Sequence, residues 1–152
     1  MRFWDWALER YARPGVQAAC LNLQDKSGLN VPYLLWAAWL GQADPGLMTQ
    51  GARLAHSFEN DILSPLRSAR RALRQPFAPL SETTREGLRA QAKSLELQAE
   101  RGLMEGLESL GHRVEGAEAS LRVLTSACLA WGCGPLPVEA IRSLADALDE
   151  GQ

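Results

Sequence analysis

Apolar residues recur along this chain at intervals of three and four, and the alternation expected of a strand is nearly absent. The pattern predicts an all-α fold. Phe3 to Tyr11 reads as a short helix with Asp5 and Glu9 on its wet side. Pro14 ends it, because proline disfavours helical geometry in the residue before it. A second helix runs to about Lys26, with Val16, Cys20 and Leu23 on one face, and Ser27-Gly28 stops it. Asn30 suits the N-cap of a third helix with Pro32 in its first turn. From Tyr33 to Leu40 that helix is apolar all round, so it belongs at the centre of the fold.

Beyond the turn signal Asp44-Pro45-Gly46, a fourth helix covers Leu47 to Leu63 with the stripe Met48, Ala52, Ala55, Phe58 and Ile62. Ser64-Pro65 predicts a kink or restart, and Leu66, Ala69 and Leu73 continue the apolar face. Residues 75–80, with Pro76 and Pro79, read as a linker. The fifth helix, 81–110, is the longest at about 45 Å. Leu88, Ala92, Leu95, Ala99, Leu103, Leu107 and Leu110 mark one face of it. A sixth runs from Gly116 to Trp131, with Leu121, Leu124, Cys128 and Trp131 facing in. The last carries Val138, Ile141, Ala145 and Leu148. The expectation is a compact bundle of about seven helices around a central apolar helix, 31–41. It forms one domain over 1–152: a core unit 1–74, the linker 75–80 and C-terminal helices 81–149.

With 46% hydrophobic and 22% charged residues, the chain has enough apolar surface to build a core, which excludes wholesale disorder. A net charge of −2 argues against a dedicated nucleic-acid binder. The charge is uneven: residues 1–75 carry +3 and residues 76–152 carry −5. The N-terminus has Asp5 and no following apolar run, so it does not read as a signal peptide. The run Tyr33 to Leu40 is far short of the ~20 residues a membrane span needs. Three cysteines make no complete disulfide framework. Together these point to a cytoplasmic protein.

The sharpest local signal is Arg67, Arg70, Arg71 and Arg74. Their i, i+3, i+4, i+7 spacing places four guanidinium groups on one helical face, suited to carboxylates or phosphates. The same stripe could instead pair with Glu96, Glu100 and Glu105 of the long helix. Gln24, Trp36 and Trp39 are candidates for a small-molecule pocket, with Trp4 and Trp6 as further aromatic lining; core packing explains the tryptophans equally. His56 and Glu59 could meet on one face but lack the second pair a di-metal bundle needs. Cys128 and Cys133, with His112, are too few for a zinc site. Gly102 and Gly106, one turn apart, suit close helix packing. No catalytic, cofactor or metal constellation is recognisable.

Residues 11–41 carry a resemblance. They read Tyr11-Ala12-Arg13-Pro14-Gly15-Val16, then Ala19-Cys20-Leu21-Asn22-Leu23-Gln24-Asp25, then Gly28-Leu29-Asn30-Val31, closing on Leu34-Leu35-Trp36 and Trp39-Leu40-Gly41. This stretch resembles a family of small proteobacterial proteins catalogued as a domain of unknown function. Members usually carry a polar residue where Pro32 stands, so no side-chain role transfers to that position. The resemblance implies a bacterial, cytoplasmic, helical protein, and brings no activity, cofactor or catalytic residue.

The function is thus unknown. The favoured expectation is a non-enzymatic interaction or regulatory protein docking an acidic protein partner on the Arg67–Arg74 face. The alternative is a small-ligand protein or an enzyme of unrecognised type with a tryptophan-lined pocket. Nucleic-acid binding ranks third.

Overall fold

The computed structural model describes residues 1–150, and all its regular elements among them are helices. They are α1 (Phe3–Tyr11), α2 (Val16–Ser27), α3 (Val31–Leu40), α4 (Pro45–Phe58), α5 (Ser64–Ala72), α6 (Glu82–Leu110), α7 (Ser120–Trp131) and α8 (Val138–Asp149). A π-turn, Glu59–Leu63, joins α4 to α5, so these two form one continuous rod and the bundle has seven rods.

The all-apolar helix takes the centre. Tyr33, Leu34, Trp36, Ala37 and Leu40 are wholly buried, and α3 packs against α1, α2, α4, α6 and α7. Its start follows the expected chemistry: the Asn30 side chain accepts from the Tyr33 amide at 3.0 Å, and Pro32 sits in the first turn. Gly15 and Gly28 bracket α2 with φ of +85° and +66°, a left-handed geometry that a Cβ disfavours. The Tyr33 hydroxyl lies between the carbonyls of Ala127, 2.9 Å, and Met48, 3.2 Å, tying α3 to α7 and α4. Gly106 permits the close approach of α6 to α4; a Cβ there would stand 3.1 Å from Leu54 Cδ2.

Four expectations are corrected. Of the kink or restart expected at Ser64-Pro65, there is no restart; the break takes the form of a π-turn, Glu59–Leu63. Proline lacks an amide proton and its ring crowds the carbonyl four residues back. The backbone answers by widening: the Ser64 amide bonds to Glu59, five residues earlier, and the rod continues. That extra residue per turn shifts the phase, so Leu63 is buried and Ile62 is turned out, 38% exposed. The long stripe of α6 is also only partly covered. Leu103 and Leu107 are buried, whereas Leu88 and Leu95 are 42% and 51% exposed, because the outer part of α6 has only α5 beside it.

The segment after Gly111 is not helical before Ser120. Its amides are committed elsewhere: Val114 N–H donates to the Leu40 carbonyl at 3.0 Å and Glu118 N–H to Gly41 at 2.8 Å. These close the C-terminus of α3. Finally, Val138 is exposed, and Leu144 joins Ile141, Ala145 and Leu148 on the inner face of α8.

Candidate functional site

α5 and the first half of α6 form a hairpin arm on the bundle. None of the nine residues of α5 is buried. The four arginines read as one face divide into two pairs. Arg67 and Arg70 turn toward α6, with side chains 19% and 22% exposed. Arg67 Nε donates to Glu96 at 3.1 Å, and Arg70 Nε donates to the second oxygen of Glu96 at 2.8 Å. Arg67 also pairs with Glu59 and, at 3.7 Å, with Glu100. Arg71 and Arg74 are exposed and make no ion pair among the described residues. Glu105 pairs with Arg101 rather than with the stripe.

The network reaches the core. Buried Asn30 donates through Nδ2 to Glu59 Oε2 at 3.2 Å, and Glu59 meets Arg67 through its other oxygen. A line of hydrogen bonds therefore runs from the N-cap of α3 through the π-turn to α6. Burial opposes the charge on Arg67, but Glu59, Glu100 and Glu96 outweigh it and raise its pKa above the ordinary value. On Glu100 the balance is reversed: burial raises its pKa despite Arg67. At the tip, Arg85, 6% exposed, donates to the Leu73 and Arg74 carbonyls at 2.7 and 3.2 Å. It closes the C-terminus of α5 with a positive charge, which the helix dipole favours.

Charge concentrates on this arm. Residues 64–96, the arm through Glu96, hold seven Arg or Lys against three Glu, a net of +4, so the rest of the chain carries −6. The basic groups that do not tie the two helices together lie on one flank of the pair. Arg71 is exposed on that side of α5, with Arg74 just past the end of the helix, and Lys93 and Glu86 share the matching side of α6. The other flank is a shallow apolar groove between Ile62, Pro65 and Leu66 and the facing Leu95 and Ala99.

The three pocket candidates are dispersed. Trp36 is wholly buried in α3, packed on Tyr33 at 6.0 Å between ring centres. Trp39 is 4% exposed, packs on Phe3 and donates to the Met1 carbonyl at 3.3 Å. Gln24 is half-buried on α2. Trp39 and Trp4 each border a separate cleft beside Arg2, the Trp4 cleft having a volume of about 160 Å³ and Arg101 over the indole at 4.8 Å. His56 stacks on Trp131, ring centres 3.6 Å apart, and its Nε2 lies 3.1 Å from the Trp131 carbonyl. Glu59 points away into the arginine network. Cys20 and Cys128 are buried, and burial pushes both thiols up to about 12.

A family model described as a protein of unknown function, DUF2390, matches residues 2–107. The chain belongs to this family. The DUF2390 match runs from α1 nearly to the end of α6, so it spans the central helix and the whole arm, and extends well beyond the resemblance over residues 11–41. No curated protein and no solved structure matches the chain. Among the described residues no helix is long and apolar enough to cross a membrane.

The spacing of the arginines on α5 was legible in the sequence; their division was not. Which two turn inward depends on where Glu59 and Glu96 come to rest, and those residues lie 8 and 29 positions from Arg67. The exposed groove had one sequence signal, an apolar stripe on α6 that continues outward from the buried Leu103 to Leu95 and Leu88.

Proposed function

We propose that this protein is a non-enzymatic, cytoplasmic docking or regulatory protein that receives an acidic protein partner on the basic flank of the α5–α6 arm. The observation that carries this reading is the net +4 on residues 64–96 of a chain whose remainder is −6. Arg71 and Arg74 are exposed there, with their guanidinium groups available to carboxylates. A separated charge pattern of this kind orients an acidic partner and speeds its encounter. Arg67 and Arg70 serve the arm itself, by holding α5 on α6, and Arg85 holds its tip.

The test places a photo-crosslinking residue at position 71 in cells, with position 142 on α8 as the comparison. A protein adduct from position 71 alone, lost when Arg74→Glu is added, is the expected result. Equal crosslinking from both positions, or an adduct destroyed by nuclease, overturns the reading.

A further inference from the structure

The flank of the arm opposite the arginines is left without a function by the docking reading. On α6, Leu88, Ala92, Leu95 and Ala99 follow one another at four, three and four residues and so share a face, on which Leu88 and Leu95 are among the most exposed leucines. On α5, Pro65, Leu66, Ala69, Ala72 and Leu73 face the same way, with Ile62 of the π-turn at their base. The groove between the two rows is walled almost entirely by carbon. Its sole charge is Asp61, at one end. The other residues of this face, Ser68, Thr84, Gln91, Ser94 and Gln98, are uncharged.

We infer that this face is the interface for a second copy of the chain, two arms packing flank to flank about a twofold axis as a four-helix bundle. Charge decides the occupant. A face about 25 Å long whose one charge, Asp61, lies at its end offers little to select a charged partner, yet it is self-complementary, since a twofold axis through its middle keeps the two Asp61 side chains at opposite ends. Two chains of net −2 and strongly polarised charge meet through it without like charges opposed, while both basic flanks stay outward. The extent agrees. Two helices, each about 10 Å across, give a face of about 500 Å² in outline, at the lower end of specific interfaces and suited to a dimer that forms as concentration rises. The arm also lacks cover: α5 buries no residue within its own chain. A hairpin of two helices is half of a bundle, and pairing with its twin supplies the other half.

The experiment is the solution mass of the full chain by sedimentation, with concentration varied up to about 100 µM. Twice the 16.7 kDa of one chain is expected. Leu95→Glu, and independently Ala99→Arg, should weaken the dimer by at least about tenfold with the far-ultraviolet circular dichroism unchanged. Leu97→Glu is the control: Leu97 is 67% exposed but lies about 200° round the helix from Leu95, and its dimer should persist. A monomeric wild type at the highest concentration overturns the proposal. So does an open series of larger assemblies, or a dimer broken by Leu97→Glu and indifferent to Leu95→Glu.

Discussion

Gly51 of α4 lies against the six-membered ring of the Trp36 indole so closely that a Cβ at position 51 would overlap its Cζ3 and Cη2 atoms. The largest wholly buried side chain of the central helix is thus seated by the absence of a side chain on its neighbour. Trp36 is wholly buried and cannot swing away, because α3 is packed on several sides at once.

Gly51→Ala should therefore destabilise the protein by about 1–3 kcal/mol, although alanine is the better helix former. Trp36→Phe alone leaves a void and costs stability as well. Combined with Gly51→Ala it should cost less than the sum of the two, since each change relieves the other. Urea unfolding of the four proteins measures the coupling; strict additivity would mean that the contact does not set the fit.

Arg70 and Arg71 are adjacent and chemically identical, yet the structure gives them different work. Arg70→Glu sets an acid against Glu96, 12% exposed, and should destabilise the arm by about 1–3 kcal/mol. Arg71→Glu should stay within about 0.5 kcal/mol of wild type, since it meets only solvent. Hydrogen exchange of the α5 amides would separate them: fast for the first, unchanged for the second. Equal behaviour would refute the division of the stripe.

Glu108 gives the protein an acid-sensitive joint. Its carboxylate accepts from Arg2 Nη2 at 2.9 Å and from the Phe3 amide at 3.0 Å, fastening the start of α1 to α6. The hydrogen bond from Arg2, followed by that from Phe3, outweighs burial and holds its pKa below the ordinary 4.5. A lowered pKa in the folded state means stability present above about pH 4.5 and lost as pH falls through the folded value. Glu108→Gln should accordingly be less stable than wild type at pH 6. The gap should shrink as pH drops below 4.5. A gap that is constant from pH 6 to pH 3 would show that the ionised carboxylate contributes nothing.

Thiol chemistry follows burial. Cys20 and Cys128 are 0% and 1% exposed and their thiolates are strongly disfavoured, whereas Cys133 reaches the surface. A disulfide reagent at pH 8 should titrate one thiol in the native protein and three after denaturation. Rapid loss of a second thiol without unfolding would contradict the packing of α2 or α7.

The sequence by itself determined the elements and the centre. Period and polarity placed α1, α2, α3 and α8 close to their true limits, and a run apolar on every side, Tyr33 to Leu40, had to be enclosed. Local chemistry sufficed there, because Asn30, Pro32, Gly15 and Gly28 act on backbone atoms within a few residues of themselves. Only the tertiary structure decided what closes the other helix ends and what stays uncovered. Glu108 caps α1 from 105 residues away, Arg10 and Arg13 both donate to the Leu148 carbonyl at the end of α8, and Arg85 closes α5. A charged side chain satisfies whichever unpaired amide or carbonyl the fold brings within about 3 Å, and sequence spacing carries no record of that meeting. The same holds for the leucines of α6. Leu95 and Leu103 are alike in the pattern, but one is buried beneath α3 and α4 while the other waits at the surface of an arm that outruns the core.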